Sequence, residues 1–441
     1  MLKYFGTDGV RGVAGVSLTE PMAYRIGRSL GSLAHEQNAP LLVCEDTRIS
    51  SEMLKKALIE GLKKSGATIY DASVSTTPSV SYLVRAHHFA FGVMISASHN
   101  PFQDNGIKVF NGEGEKLEDS IEETIEAYMD KPEDDLPILE GKVLSGEALK
   151  DEYINWLASK AEGHYEGLKV LVDCANGSAS NLAPRLYEKL GLHAEFINRN
   201  PSGRNINDHC GSTHLEGLKD AFDAGHYDLA FAFDGDSDRF MAYGPDGRLI
   251  DGDAMIFLGA LSLRKKNLLK KNTIVITVMS NFGLRKALDE EGLLYDTVAV
   301  GDKNVQQDLK KNGLSVGGEQ SGHVIFLADL NTGDGLLSSI KLLDIYAHER
   351  DVFDKVQEFH VYPQLLENVR FQTKAELEKA SSDPALKELV AKEEASLKGN
   401  GRILVRASGT EPLLRVMAEA LDGKECDRVV KEIVSYIKRS N

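Results

Sequence analysis

The 441-residue sequence is poor in several things at once: one tryptophan, four cysteines, twelve prolines, and fewer basic residues than acidic ones. Cys44, Cys174, Cys210 and Cys426 stand far apart with no C-x-x-C pair, which argues against a zinc knuckle or a disulfide framework and fits a reducing compartment. The most apolar stretch, Ala254 to Leu263, is too short to cross roughly 30 Å of hydrocarbon. The opening Met1-Leu2-Lys3-Tyr4-Phe5-Gly6 has no apolar signal region, so a cytoplasmic location is the expectation. Lys plus Arg is 51 against 67 for Asp plus Glu, a formal charge of −16. Such a field repels nucleic acid and anionic membranes, and neither is expected as a partner. An anionic substrate must then be held by a local pocket of Arg, Lys and backbone N–H groups. Apolar residues at 42% and charged residues at 27% exclude a disordered or fibrous chain.

What is present is organised. Three segments, Leu41 to Asp71, Lys169 to Asn198 and Thr273 to Val300, repeat one pattern: apolar strand, polar turn, amphipathic helix, Gly, second strand. Alternating strands and helices imply mainly parallel sheets covered on both faces. A further apolar strand follows each repeat and runs into a polar, Gly-bearing loop, after Phe91 to Ile95, after Leu229 to Phe233 and after Ser315-Val316. Ligand sites of open α/β sheets lie beyond the carboxyl ends of strands, so three related domains offer their loops to one cleft. The acidic, proline-flanked Pro132 to Pro137 reads as the edge of the first domain. A charged, helix-rich stretch from Ala375 to Lys398, two short strands and a last helix make a fourth, smaller α+β domain. The expected fold is α/β, with three related domains of mainly parallel mixed sheets and a small C-terminal α+β domain. The expected boundaries are 1–150, 151–251, 252–365 and 366–441.

The loops carry chemistry. Asp234, Asp236 and Asp238 alternate directly after a buried strand, and converging carboxylates need a cation, with Mg²⁺ favoured by hard oxygen ligands. An aspartyl-nucleophile phosphatase presents the same Asp-x-Asp, and a solvated acidic turn is the plain alternative. In Ser96-Ala97-Ser98-His99-Asn100-Pro101, a hydroxyl can carry a phosphoryl group, with His99 and Lys108 in support; the same residues also suit a helix cap or Asx turn. Gly317 to His323 offers Glu319, Ser321 and His323 to sugar hydroxyls and an amine, or is merely a polar hairpin. Arg406, Ser408, Gly409, Thr410 and Arg415 combine guanidinium, hydroxyl and Gly-permitted N–H donors into the anion pocket the net charge demands. Arg11, in Phe5-Gly6-Thr7-Asp8-Gly9-Val10-Arg11-Gly12, offers a guanidinium to a phosphoryl group, or the segment is a plain Gly-rich lead-in.

Together and in this order, the loops resemble those of the α-D-phosphohexomutase superfamily over essentially the whole chain. The resemblance implies four domains around a central cleft. It implies a phosphoserine at Ser98, metal ligands at Ser98, Asp234, Asp236 and Asp238, and catalytic support from Arg11, His99, Lys108 and Arg239. Substrate contacts would come from Glu319, Ser321, His323, Arg406, Ser408, Gly409, Thr410 and Arg415. The opening octapeptide, Gln320, and Ile206-Asn207 with Cys210 to His214 resemble the amino-sugar branch of that superfamily, where Lys303-Asn304 replaces the usual Arg-Tyr. That branch implies interconversion of glucosamine 6-phosphate and glucosamine 1-phosphate through glucosamine 1,6-bisphosphate, one Mg²⁺ per site, and supply of UDP-N-acetylglucosamine for cell-wall precursors. It also implies a hinge near residues 365–375. Expected partners are the sugar phosphate, a second copy in a homodimer, and a protein kinase or the bisphosphate sugar as the agent that first phosphorylates Ser98. Glucose or mannose phosphates, and phosphate release by a hydrolase, are the competing readings.

Overall fold

The computed structural model describes residues 2–408 and 412–440. The chain divides into two compact units, one running to Met279 and including Leu293–Val356, the other comprising Ser280–Gly292 and the chain from Gln357. Among the described residues no helix is long and apolar enough to cross a membrane.

The first unit contains three sheets. The largest has seven strands in the order Phe5–Gly6, Gly9–Val13, Asp104–Asn111, Phe91–Ile95, Leu41–Glu45, Thr68–Val74 and Lys142–Ser145. The second runs Leu249–Ile250, Phe240–Tyr243, Leu229–Phe233, Lys169–Asp173, His193–Ile197, and the third Leu294–Val298, Thr273–Thr277, Val316–Gly318, Val324–Phe326. Strands Leu41–Glu45, Phe91–Ile95 and Leu229–Phe233 are buried at every position, which explains their unbroken apolar character. Helices Glu20–Glu36 and Ser51–Lys64 cross so closely that a Cβ on Gly27 would lie 2.2 Å from the Leu58 carbonyl oxygen, and one on Gly61 2.2 Å from that of Tyr24.

Each sheet is parallel in its repeat and then reverses. Ile95 pairs with Ile107, Phe233 with Phe240 and Gly318 with Val324, all antiparallel. The loops 96–103, 234–239 and 319–323 are therefore links between neighbouring hydrogen-bonded strands. Period-2 and period-3.6 patterns do not report strand direction, which is why the reversals go beyond the sequence reading. The acidic Pro132–Pro137 stretch is also more firmly held than its composition suggests. Arg28, fully buried, donates to Asp134 (2.8 Å) and to the carbonyls of Leu136 and Pro137.

The second unit is a three-stranded antiparallel sheet with Leu413–Ala420 between Gln364–Arg370 and Gly401–Ala407. Helices Lys374–Ser382, Pro384–Ser396 and Gly423–Ser440 accompany it, and the last buries Cys426, Val429, Val430, Ile433, Val434 and Ile437 in its core. Gln364–Arg370 is paired along its full length, so this half of the expected hinge region is an ordered edge strand. The helix of the third repeat, Phe282–Glu290, groups with this unit: Asn281 at its start donates to the Tyr362 carbonyl (3.0 Å) and to Glu419 (3.1 Å).

Candidate active site

Ser98 follows the buried strand Phe91–Ile95 on a turn where its own φ is +53°, and it is 2% exposed. Its Oγ donates to Asp234 Oδ2 at 2.6 Å and lies 3.4 Å from His99 Nδ1. Asp234 begins the link after Leu229–Phe233, so the reversals of the first and second sheets meet hydroxyl to carboxylate. A Cβ on Gly235 would stand 2.6 Å from the Ser98 carbonyl oxygen, hence a residue without one.

Asp234, Asp236 and Asp238 are all buried, and one oxygen from each lies within 4.8 Å of the others. Thr77, at the start of helix Thr77–His87, donates its hydroxyl to Asp236 Oδ2 at 2.5 Å. Asp236 Oδ1 and Asp238 Oδ1 are buried without a hydrogen-bond partner among the described residues. Burial, then the charges of Asp238 and Asp236, push the Asp234 carboxyl well above the ordinary carboxylate range. Orphaned carboxylate oxygens beside a carboxyl that resists ionisation suit a hard divalent cation, which would satisfy both at once.

Cations crowd the same place. Lys108 Nζ, 2% exposed, lies 2.8 Å from Asp236, 3.0 Å from Asp8 and 3.5 Å from Asp238. Burial disfavours its charge, but Asp236, Asp8 and Asp238 outweigh burial and raise its pKa, so it stays an ammonium ion. Lys116 bridges Asp8 (2.9 Å), Asp302 (2.6 Å) and the Thr7 carbonyl (2.9 Å). Arg11 pairs with Asp8. Burial, then the charges of Arg239 and Arg11, lower the His99 pKa to about 4, which leaves a neutral imidazole at neutral pH.

A cavity of about 580 Å³ opens onto these groups, lined by Arg11, Ser98, His99, Asp238 and Arg239 on one side and Glu319, Ser321 and His323 on the other. Glu319 accepts from the Gly301 N–H at 3.0 Å, and Gln320 donates to Asp251 at 3.1 Å, fixing the third link. His323 Nε2 accepts from the Gly333 N–H at 3.0 Å, so its Nδ1 carries the proton. The first unit thus brings together every site residue expected from its loops. The residues that sequence reasoning did not single out are Asp8, Thr77, Lys116 and Asp302. Asp8 sits inside the quoted opening octapeptide and Asp302 directly precedes Lys303-Asn304, whereas Thr77 and Lys116 belong to no pattern. Lys303, where the departure from the amino-sugar branch falls, reaches Asp119 at 2.7 Å.

In the second unit, Arg406 and Arg415 are directly opposed on adjacent antiparallel strands. Among the described residues, neither has a carboxylate within ion-pairing distance and the buried Arg415 Nε has no hydrogen-bond partner. Burial and the neighbouring Arg415 lower the Arg406 pKa. Like charges paired across a sheet are destabilising unless an anion joins them. Ser408 closes its strand by donating its N–H to the Leu413 carbonyl at 2.9 Å. Gly409 and Thr410 lie outside the described residues.

A buried serine against an acidic triad, with guanidinium and ammonium groups around a sugar-sized cavity, is the setting of phosphoryl transfer, and the comparisons agree. Models of the four phosphoglucomutase/phosphomannomutase domains match in order: alpha/beta/alpha domain I at residues 2–135, domain II at 151–247, domain III at 251–362 and the C-terminal domain at 366–435. The chain belongs to this family, and it is a phosphohexomutase, an enzyme of the isomerase class. A solved family structure from Burkholderia thailandensis superposes with a TM-score of 0.81 at 24% identity, covering 99% of this chain and 98% of its own, which supports the fold.

Within the family its place is with the phosphoglucosamine mutases. Proteins of that name from Exiguobacterium sibiricum and Bacillus subtilis are each 44% identical, over 450 and 447 residues; they cover 100% and 99% of this chain and 99% of their own length. That of Streptococcus sanguinis is 45% identical over 447 residues, covering 99% of both chains.

Proposed function

We propose that the protein interconverts glucosamine 6-phosphate and glucosamine 1-phosphate, with Ser98 as the phosphoryl carrier. The observation that carries the reading is the 2.6 Å contact of Ser98 Oγ with Asp234 inside a buried acidic triad. O1 of glucosamine 6-phosphate attacks the phosphorus on Ser98; the new O1–P bond forms as the P–Oγ bond breaks, and the O1 proton passes to a base. Neutral His99 is suited to take it, while Lys108, held as an ammonium ion, offsets charge on the phosphoryl oxygens with Arg11 and Arg239. The resulting glucosamine 1,6-bisphosphate turns round, and Ser98 Oγ attacks the phosphorus on O6; the Oγ–P bond forms as the P–O6 bond breaks, and the base returns its proton to O6, releasing glucosamine 1-phosphate. Asp234, Asp236, Asp238 and Ser98 would hold Mg²⁺, which supplies charge neutralisation to the phosphoryl oxygens. Glu319, Ser321 and His323 suit the sugar hydroxyls and amine, and Arg406, Ser408 and Arg415 suit a phosphate. Bisphosphate returned to a dephosphorylated enzyme would rephosphorylate Ser98 by the same step.

The test is turnover of glucosamine 6-phosphate beside glucose 6-phosphate and mannose 6-phosphate, by wild type and Ser98→Ala. Preference for the amino sugar, loss of nearly all turnover in Ser98→Ala and an unchanged circular dichroism melt are expected. Wild-type turnover in Ser98→Ala, or stoichiometric release of inorganic phosphate, would overturn the reading.

A further inference from the structure

We propose that Arg48 and Asn207 are positioning residues for this reaction: from two different sheets they clamp the carbonyl oxygens of Ser98 and Asn100, and so fix the turn that aims the Ser98 hydroxyl at Asp234. The proposal rests on the reading of Ser98 as phosphoryl carrier. Ser98 occupies the left-handed backbone region at φ +53°, which a serine adopts only when its surroundings impose it. Its own side chain does not stabilise that turn, because Oγ is committed to Asp234. The constraint comes from outside. Arg48, 3% exposed, donates Nη2 to the carbonyls of Ser98 and Asn100, both at 2.8 Å, and Nη1 to that of Asp104 at 3.0 Å. Its Nε is anchored on Asp46 Oδ2 at 2.8 Å, an oxygen that also receives the Ser96 hydroxyl at 2.6 Å.

Asn207 completes the arrangement from the other side. Its Nδ2 donates to the same two carbonyls, Ser98 at 2.9 Å and Asn100 at 3.1 Å, so each oxygen accepts two bonds and has no lone pair to spare. Gly235 lies between, where a Cβ would be 2.9 Å from Asn207 Nδ2. Arg48 follows the strand Leu41–Glu45 and Asn207 lies beyond His193–Ile197, so the first and second sheets both grip one turn. Neither side chain touches Ser98 Oγ; both act on its backbone. The motif Ile206-Asn207, otherwise without an assigned task, thereby gains one.

Asn207→Gly is the decisive variant, since Asn207 itself sits at φ +57° and glycine accepts that conformation while deleting the amide. Asn207→Asp keeps the shape but sets a carboxylate against two carbonyl oxygens. The expected result for Asn207→Gly is a kcat lowered about 10–100-fold, with the KM for glucosamine 6-phosphate within about twofold of wild type and an unchanged thermal melt, while Asn207→Asp is expected to lower both kcat and the melting temperature. Arg48→Lys, which cannot reproduce the fork, is expected to follow, but its burial beside Asp46 makes a folding defect the competing cause, and for that reason Asn207 carries the test. A wild-type kcat in Asn207→Gly overturns the clamp, as does a fall of kcat only in step with the melting temperature. Active Ser98→Ala would remove the underlying reading instead; inactive Ser98→Ala beside fully active Asn207→Gly would remove the clamp alone.

Discussion

Lys108 stands among three carboxylates, and what its removal leaves behind defines its work. With a neutral side chain there, Asp8, Asp236 and Asp238 would face one another with no ammonium ion between them. Deleting one partner of a buried ionic cluster costs about 3–5 kcal/mol, so Lys108→Met is expected to lower both stability and turnover. A divalent cation would replace part of the lost charge. The deficit, measured by thermal melts in EDTA and in Mg²⁺, is therefore expected to be larger in EDTA; equal deficits would separate Lys108 from the acidic triad. Single residues of this kind were unevenly legible. Ser98 and the three aspartates could be read because the chemistry lies within a few consecutive positions after an apolar strand. Lys116 could not, because its partners Asp8 and Asp302 lie far from it in sequence and from each other, and a lone lysine carries no periodic signal.

Helix Gly335–His348 starts from Asp334, whose Oδ1 accepts from the Leu337 N–H at 3.0 Å and whose Oδ2 accepts from the Tyr153 hydroxyl at 2.7 Å. The cap does more than start a helix, since Gly335 N–H donates to the carbonyl of Ser237, within the link that carries the acidic triad, at 3.0 Å. Burial, opposed by the bonds from Tyr153 and the helix N–H groups, raises the Asp334 carboxyl from 3.8 to about 6. Between those values the folded protein retains a proton that the unfolded chain has lost, so Asp334 weakens the fold progressively as pH rises through 6. Asp334→Asn caps the helix without titrating. Its stability relative to wild type is expected to improve by up to about 3 kcal/mol between pH 4 and 7, measured by urea unfolding at a series of pH values. A difference that does not vary with pH would show that Asp334 is not the titrating cap. Helices and buried strands of the three repeats were foreseen from their periodicity. Mixed sheets were expected, but which strands return antiparallel was not, since alternation marks a strand and says nothing of its direction, and the edge strand Gln364–Arg370 breaks the alternation with an exposed Leu366 and a half-buried Glu367.

A chain of net charge −16 that turns over a sugar phosphate concentrates its cations, and Arg11, Lys108 and Arg239 stand beside an acidic triad suited to a metal ion. Chelation is expected to abolish turnover and added Mg²⁺ to restore it, in an assay of glucosamine 1-phosphate formation; full activity in excess EDTA would sink the metal assignment. Four domains were legible because the repeat recurs three times and the last segment breaks it. The two-unit division, with Phe282–Glu290 in the smaller unit, was not, because contacts between segments distant in sequence decide it. The strand reversals carry a last consequence. Each link closes between residues that pair across its reversal, Ile95 with Ile107, Phe233 with Phe240 and Gly318 with Val324, so these anchors stay at about the 4.8 Å spacing of neighbouring strands. Closing a loop between fixed ends costs only about 0.6 kcal/mol more for each doubling of length. A link can therefore change length without shifting the register of the sheet beneath it, but its chemistry is tied to its neighbour's, since the Ser98 hydroxyl meets Asp234 and Gly235 packs on the Ser98 carbonyl.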